Sequence, residues 1–475
     1  MLNYEILYEY IVNFWQAEII PSLSDYITIP NKSPQFDQKW NEHGYMDKAV
    51  NHLASWCRLH SLDGMMIDVL RLPGRTPLLL VDIPGSVNDT VLIYGHLDKQ
   101  PEMDGWHEGL GPWMPVLRDG RLYGRGSADD GYAIYAALAA IKGLQKQHAK
   151  HARCLILIEA CEESGSYDLP FYIDQLKERI GTPSLVVCLD SGAGNYEQIW
   201  VTTSLRGLVN GCLTVEMISE GIHSGNASGI VADSFRVARQ LLSRIEDERT
   251  GEIILPELHC SIPQQRYDEA CICAQVLSEQ VYQSFPLLEQ VQPMDLSAQS
   301  LILNRTWRPA LTIIGAEGLP ELANAGNVLR PKTTLKLSMR LPPGINAQVA
   351  AVAMRRALTE KPPYHAKIYF DIEDTANGWQ APPSSPWLHA AIEEASQIFY
   401  KKNAVYMGEG GSIPFMAMLG ERFPQANFMI TGVLGPHSNA HGPNEFLHID
   451  MVQKLTASVA YVLYKHAAQQ SIDNR

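Results

Sequence analysis

The sequence has no long apolar run and no excess of basic residues. No apolar stretch approaches the roughly 18 residues that a membrane-spanning helix needs. Lys and Arg number 38 against 52 Asp and Glu, so the formal net charge is −14. This charge argues against nucleic acid or an anionic membrane surface as a partner. With 46% hydrophobic and 19% charged residues, the composition is that of an ordinary soluble globular protein.

The sequence also lacks the cysteine framework of a small secreted protein. Several of its eight cysteines lie within or beside strand-like apolar runs, where a free thiol behaves as a small hydrophobic side chain. The N-terminal segment has no basic n-region and no small-residue cleavage site, and it reads as a helix of the mature protein. We therefore expect a cytoplasmic protein with reduced cysteines.

A chain of 475 residues is too long for one hydrophobic core, which predicts at least two domains. The first 200 or so residues alternate strand-like segments with helical ones. The strand-like segments are apolar throughout, which is typical of strands buried on both faces: "PLLLVDI", "TVLIYG", "CLILIEA" and "SLVVCLD". The predicted fold class is α/β, with a mostly parallel sheet and helices on both faces.

The pattern changes after about Thr203, where strand-like segments alternate in polarity as one-sided strands do. A Pro- and Ser-rich segment, "NGWQAPPSSPWL", reads as the crossover back to the α/β pattern. We therefore predict a discontinuous catalytic domain, residues 1–203 and 378–475, interrupted by an α+β domain, residues 204–377. The segment 251–308 is too long for a simple connection and should carry helices of its own.

Five short stretches each end in a residue of a type that binds metal: "YGHLD", "GSADDG", "EACEES", "CLDSG" and "NAHGPNE". Three of them directly follow an apolar strand-like run. Open α/β sheets place their chemistry just beyond the carboxyl ends of strands, so these stretches predict a metal site on one sheet. The residues concerned are His96, Asp98, Asp129, Asp130, Glu162, Glu163, Asp190 and His441.

The residue types suggest distinct roles. Imidazole and carboxylate are suitable zinc ligands, and Asp98 could accept the other ring N–H of His96. A carboxylate such as Asp129 can bridge two cations. Since consecutive side chains point to different sides of an extended backbone, one of Glu162 and Glu163 can bind metal while the other acts as a general base.

Each stretch also has a plainer explanation. The Asp pair could cap the helix that follows, the Glu pair could be a surface turn, and Asp190 could be a turn former. In the last stretch, His437 and His448 compete with His441 as ligands. Residue spacing alone leaves these alternatives open.

Together and in this order, the five stretches resemble the di-zinc metallopeptidase family of carnosinase, glutamate carboxypeptidase, aminoacylase and succinyl-diaminopimelate desuccinylase. The resemblance covers nearly the whole chain. Two further motifs, "GIHSG" (221–225) and "EGGSIPF" (409–415), look like the carnosinase-like dipeptidase branch. The resemblance implies that residues 204–377 form a lid and dimerisation domain, and hence a homodimer.

The resemblance also implies two Zn²⁺ per subunit, with Mn²⁺ or Co²⁺ compatible with the same ligands. Glu162 would be the general base for a metal-bridging water, and Asp98 would orient His96. The peptide bond after the bridging Asp129 would be cis. The implied ligands are His96, Asp129 and Asp190 for one zinc and Asp129, Glu163 and His441 for the other.

By the same resemblance, His223 reaches the active site of the other subunit and stabilises the oxyanion. Arg340 is an implied partner for a substrate carboxylate. The whole implied substrate-binding set is His223, Asn327, Arg340, Gly410, Gly411 and Ser412.

The chain departs from the family where "DDKG" is usual, since Gly131 and Tyr132 follow the Asp pair here. This change flanks the site without removing a ligand, so it argues against carnosine as the substrate and not against hydrolysis. The predicted activity is hydrolysis of an amide bond in dipeptides or short peptides. An N-acyl amino acid deacylase is the first alternative. A non-catalytic binding protein of the same fold is the second, and the intact ligand set argues against it.

Overall fold

The structure is a computed structural model that describes residues 2–411 and 413–473. The predicted substrate residue Ser412 lies outside the described residues. No helix in these ranges is both long and apolar enough to cross a membrane.

The strands, in chain order, are β1 (Met66–Leu70), β2 (Leu78–Ile83), β3 (Val87–His96), β4 (Val116–Arg118), β5 (Arg121–Tyr123), β6 (Ala152–Glu159), β7 (Leu185–Cys188), β8 (Trp200–Leu205), β9 (Gly207–Glu216), β10 (Ile222–His223), β11 (Ala310–Glu317), β12 (Val328–Leu329), β13 (Lys332–Leu341), β14 (Lys367–Ala376), β15 (Trp379–Gln380), β16 (Val405–Glu409), β17 (Asn427–Ile430) and β18 (Phe446–His448).

The α-helices, in the same order, are α1 (Tyr4–Phe14), α2 (Ile20–Ile27), α3 (Trp40–His43), α4 (Tyr45–Leu59), α5 (Ala133–Lys146), α6 (Leu169–Gln175), α7 (Lys177–Ile180), α8 (Ser224–Ala227), α9 (Ser234–Leu242), α10 (Gln264–Leu277), α11 (Gln280–Gln283), α12 (Ala298–Thr306), α13 (Ala347–Thr359), α14 (Pro386–Phe399), α15 (Pro414–Arg422) and α16 (Ile449–Asp473).

The chain divides into two compact units. The first, which we call the catalytic unit, comprises Met1–Thr202, Ala381–Met407 and Met418–Arg475. The second, the insert, comprises Thr203–Gln380 and Gly408–Ala417. The sequence predicts transitions at 203/204 and 377/378, which lie one and three residues from those that separate these two units. The catalytic and lid roles of the two domains stay predictions. The sequence prediction placed the short segment Gly408–Ala417 in the same domain as the residues on either side of it, whereas the structure groups it with the insert.

The catalytic unit is built on a six-stranded sheet in the order β1-β2-β6-β3-β7-β17. Strands β6, β3, β7 and β17 are parallel to one another, whereas β2 pairs antiparallel with β6 and β1 pairs antiparallel with β2 at one edge. Strands β2 and β7 are buried along their whole length, as their continuous apolar sequences predict. The predicted α/β class with a mostly parallel sheet is confirmed.

Helix α5 carries the residues after the Asp pair into the core of this unit. Its sequence is alanine-rich, which favours the helix and lets it approach its neighbours closely. It contacts β3, β6 and the long C-terminal helix α16, and most of its residues are buried. The position where the Asp pair meets α5 is therefore fixed by packing as well as by chain connectivity.

The insert contains a four-stranded antiparallel sheet in the order β11-β13-β9-β14. Buried residues alternate along β9 and β13, because one face of the sheet is covered by helices α9 and α13. This is the one-sided α+β arrangement that the sequence predicted. The segment 251–308 does carry its own helices, α10, α11 and α12, which contact one another.

Candidate metal centre

The candidate ligands follow the carboxyl ends of three adjacent parallel strands. Strand β3 ends at His96, and its neighbours β6 and β7 end at Glu159 and Cys188. A 3₁₀ turn, Glu162–Ser164, follows β6 directly, and Asp190 lies two residues beyond β7. Because parallel strands end at the same edge of a sheet, the ligand-type residues converge there.

The first group of possible ligands is His96, Asp129 and Asp190, all buried. The His96 Nε2 atom lies 3.2 Å from Asp129 Oδ1 and 3.7 Å from Asp190 Oδ2. The other ring nitrogen, Nδ1, is 3.0 Å from the backbone carbonyl oxygen of Asp98, to which it can only donate. Because Nδ1 donates this hydrogen bond, Nε2 is the ring nitrogen that faces the two carboxylates and that can bind a metal once it has released its proton.

The second group is Asp129, Glu163 and His441. The His441 Nε2 atom lies 3.1 Å from Asp129 Oδ2 and 3.3 Å from Glu163 Oε2. Asp129 therefore presents Oδ1 to the first group and Oδ2 to the second, as a bridging carboxylate would. In each group the possible ligand atoms lie within 4.8 Å of one another.

Asp98 holds the two glutamates in place. Its Oδ1 accepts a hydrogen bond from the backbone N–H of Glu162 at 3.1 Å, and its Oδ2 accepts one from Glu163 at 3.0 Å. Its carboxylate is 3.6 Å from His96 Nδ1, and the hydrogen bond of the imidazole goes to the Asp98 carbonyl instead. The Asp98 side chain thus fixes the turn that carries Glu162 and Glu163. The orientation of His96 by Asp98, which the resemblance implied, stays a prediction.

The electrostatics of the site fit a bound cation. Burial and the charge of Asp190 raise the pKa of Glu162, and burial and the charge of Asp129 raise the pKa of Glu163, both well above the ordinary value. Burial raises the pKa of Asp190 to about 6. The buried Glu163 Oε1 has no hydrogen-bond partner among the described residues. A divalent cation would supply the positive charge that these carboxylates lack, and the donor set suits zinc.

Two features of the structure bear on the alternatives that residue spacing left open. The Asp129–Asp130 peptide bond is cis, as the resemblance implied. His448 ends β18 and stacks on the ring of Tyr196, with 4.4 Å between ring centroids. Among the described residues, the groups that could hold a metal include His441 and neither His437 nor His448.

One polar residue of the site was not singled out by the sequence analysis. Gln100 Nε2 donates to Glu163 Oε2 at 2.6 Å. Gln100 lies only two residues after Asp98, so its position within "GHLDKQP" was the available signal. We expect it to orient the Glu163 carboxylate toward His441, since a hydrogen-bonded ligand keeps one oxygen directed at the metal.

In the insert, the predicted substrate residues form two sets. Backbone pairing of β10 with β12 sets His223 opposite Val328, so the neighbouring Asn327 lies beside it, and both side chains are exposed. His223 Nδ1 accepts a hydrogen bond from the backbone N–H of Gly225 at 3.1 Å. The exposure of both residues leaves their side chains accessible to a ligand.

The second set is Arg340, Gly410 and Gly411. These residues are near Arg206, which the sequence analysis did not identify. Its Nε donates to the Gly410 carbonyl at 3.1 Å, and its backbone N–H donates to the Gly411 carbonyl at 3.0 Å. Burial and the neighbouring charges of Arg340 and Arg305 lower the pKa of Arg206 to about 10. Arg206 precedes β9 as a single charge without a motif around it, so the sequence carried no signal for its role.

A family model for peptidase family M20/M25/M40 matches residues 92–465. The chain is 24% identical to the cysteinylglycine-S-conjugate dipeptidase of Corynebacterium striatum, over 86% of this chain and 88% of that protein. It is also 24% identical to the human Beta-Ala-His dipeptidase, over 94% of this chain and 90% of that protein. Its fold is similar to that of the dipeptidase Dug1p from Saccharomyces cerevisiae, with a TM-score of 0.76, 20% identity, and coverage of 98% and 99% of the two chains.

Proposed function

Since this chain belongs to peptidase family M20/M25/M40, it is a metallopeptidase, and we propose that it hydrolyses the amide bond of dipeptides or short peptides at the metal centre described above. The observation that carries this proposal is the pair of ligand groups sharing Asp129, with a further carboxylate, Glu162, outside both groups. The names of the similar proteins, which are dipeptidases, support dipeptides as the substrate class.

We propose two zinc ions per chain, with Mn²⁺ or Co²⁺ as alternatives that the same donor atoms accept. His96, Asp129 and Asp190 would hold one ion, and Asp129, Glu163 and His441 the other. When bound, two such ions lower the pKa of water and polarise the substrate carbonyl.

The chain itself supplies the proton transfers. Glu162 accepts the proton of the attacking water and then delivers it to the leaving amine nitrogen. Asp98 holds the backbone of the turn that carries Glu162 and Glu163 through two hydrogen bonds. The general base and the neighbouring ligand therefore start from a fixed backbone position during proton transfer.

We propose that the insert recognises the rest of the substrate. Arg340, with Arg206 near it, would bind the substrate carboxylate, because Arg206 is buried, Arg340 is half-buried, and the charge of Arg340 contributes to the lowered pKa of Arg206. A carboxylate would supply the negative charge that offsets this repulsion. Gly410, Gly411 and Ser412 would line the substrate floor. His223 and Asn327 are the other proposed substrate contacts, and the partner subunit's His223 would stabilise the oxyanion.

A substrate panel tests the proposed reaction. Purified enzyme loaded with zinc should hydrolyse free dipeptides, and blocking the C-terminal carboxylate of the same dipeptides as amides should lower kcat/KM by about 10-fold or more, since one charge-assisted hydrogen bond contributes about 1.5–3 kcal/mol. N-acetyl amino acids serve as the second arm. Turnover confined to the N-acetyl arm would identify a deacylase and overturn the dipeptidase proposal.

We further propose a homodimer formed through the insert. On this unit, the sheet face away from α9 and α13 includes the exposed side chain of Tyr369, which pairs across from Thr214. Sedimentation equilibrium at micromolar concentration should give twice the mass of the 52.9 kDa chain. A mass of one chain at all concentrations would contradict both the dimer and the role of the partner's His223.

We propose the cytoplasm as the location of this protein. The eight cysteines are thiols, and five of them are buried. Free cysteines are stable in a reducing compartment.

A further inference from the structure

A buried ion pair lies next to the bridging ligand and has no part in the proposed proton transfers. Arg125 Nη1 donates to Glu445 Oε2 at 2.7 Å, and the two side chains are 1% and 0% exposed. Taking two charges out of water costs several kcal/mol per ion unless their remaining hydrogen-bonding groups are satisfied. The partners of this pair therefore indicate what the pair holds in place.

Glu445 binds the backbone of the turn that ends at Asp129. Its Oε2 accepts a hydrogen bond from the N–H of Gly126 at 3.0 Å. Its Oε1 accepts hydrogen bonds from the N–H groups of Ala128 at 3.1 Å and Asp129 at 3.2 Å. One carboxylate thus fixes the direction in which the chain enters the bridging ligand.

Arg125 binds two other loops of the site. Its Nη2 donates to the carbonyl of Gly442, the residue after His441, at 2.6 Å. Its Nε donates to the carbonyl of Pro101 at 3.2 Å, in the loop that follows His96. The pair therefore connects the two segments that carry Asp129 and His441 with the loop that follows His96.

The loop that carries His441 depends on such contacts more than the other ligand-bearing segments do. His96 is the last residue of a strand in the middle of the sheet, whereas no strand or helix is assigned between residues 431 and 445. His441 itself has a φ of 64°, which is unusual for a residue other than glycine. Side-chain contacts must then hold this backbone, and the Arg125–Gly442 hydrogen bond is one residue away.

We propose that Arg125 and Glu445 are positioning residues that set the spacing between Asp129 and His441 and thereby the affinity of the second metal site. This inference rests on the proposed two-metal function. It predicts a selective defect: the site of Asp129, Glu163 and His441 weakens, whereas the site of His96, Asp129 and Asp190 keeps most of its affinity.

The test is a zinc titration of metal-free Arg125→Met, in competition with a chromophoric chelator, which yields the two stepwise dissociation constants. Methionine keeps an unbranched apolar stem at this position and removes all the hydrogen-bond donors of the arginine. We expect one constant to rise about 10- to 100-fold, the usual effect of removing a residue that supports a metal ligand, and the other to change less than about threefold. Equal weakening of both sites, or no change in either, would overturn the proposal.

Glu445→Gln is the second variant, and it keeps the proposal testable if Arg125→Met does not fold. Its amide oxygen can still accept from the turn, but the charge and one acceptor are lost, so we expect a rise of about tenfold in the same constant. An unchanged constant would contradict the proposal.

Arg153→Met is the matched control. Arg153 makes a two-point ion pair with the buried Asp82, at 2.8 and 2.6 Å, between β6 and β2. Its loss should lower the stability of the metal-free protein and leave both zinc constants unchanged, which separates positioning from general destabilisation. Wild-type protein that binds no zinc would instead refute the two-metal proposal itself.

Discussion

Replacing Glu162 with Gln is expected to lower kcat by a factor of about 10² to 10⁴ while two zinc ions remain bound. Glu162 belongs to neither ligand group, so an amide there removes the proton acceptor and leaves the metal ligands intact. The size of the loss is that of a general acid–base group. Steady-state kinetics, together with metal analysis of the same protein sample, would measure both quantities.

Glu163→Gln is the natural comparison, because it makes the same replacement, carboxylate by amide, at the adjacent residue. Glu163 Oε2 lies 3.3 Å from His441 Nε2 within the second group, so this variant should lose zinc along with activity. If the two variants behaved the other way round, the roles of the two glutamates would have to be exchanged.

Removing zinc with a chelator is expected to abolish hydrolysis and to lower the free energy of unfolding by about 4 kcal/mol for each site, relative to protein in free zinc at about 1,000 times the dissociation constant of that site. The physical reason is that the candidate ligands, between residues 96 and 441, come together only in the folded chain. Thermal unfolding with and without chelator measures the difference, and re-addition of zinc should restore both stability and turnover.

The stabilisation by zinc should also shrink as the pH falls. Burial lowers the pKa of His96, but the carboxylates of Asp129 and Asp98 outweigh this effect and raise the pKa well above its ordinary value. In the metal-free protein His96 therefore holds a proton at neutral pH that zinc must displace, and lower pH favours the protonated form. We expect the zinc dissociation constant to rise about tenfold per pH unit for each proton displaced. Equal stabilisation at pH 6 and pH 8 would contradict this expectation.

The sequence predicted those parts of the structure that leave a local pattern, such as an apolar run followed by a residue of a type that binds metal. The apolar runs that precede His96, Glu162 and Asp190 are the strands β3, β6 and β7, and their parallel order brings the residues after them to one edge. By contrast, "PLLLVDI" is a buried strand that pairs antiparallel with β6. A continuous apolar sequence reports burial on both faces but carries no information on strand direction.

Other features depend on tertiary contacts that leave no local pattern. The sequence predicts helices within segment 251–308 but not where they end: α10 ends at Leu277, and the next residue, Ser278, has a φ of 49°. Gln100 and Arg206 stand alone in the sequence, and their contacts are with segments far along the chain, at Glu163 and Gly410. The roles of the individual site residues stay predictions until the variants above are measured.

The position of Asp129 between two imidazoles, with one oxygen toward each, has a thermodynamic consequence. Any ion held by one oxygen changes the charge and orientation that the other oxygen offers, so the two sites cannot fill independently. Linkage makes this influence reciprocal: whatever factor the first ion imposes on the affinity for the second, the second imposes on the first. Zinc loading of this enzyme should therefore be cooperative, with a sign set by the balance between ordering of Asp129 and repulsion between the two cations.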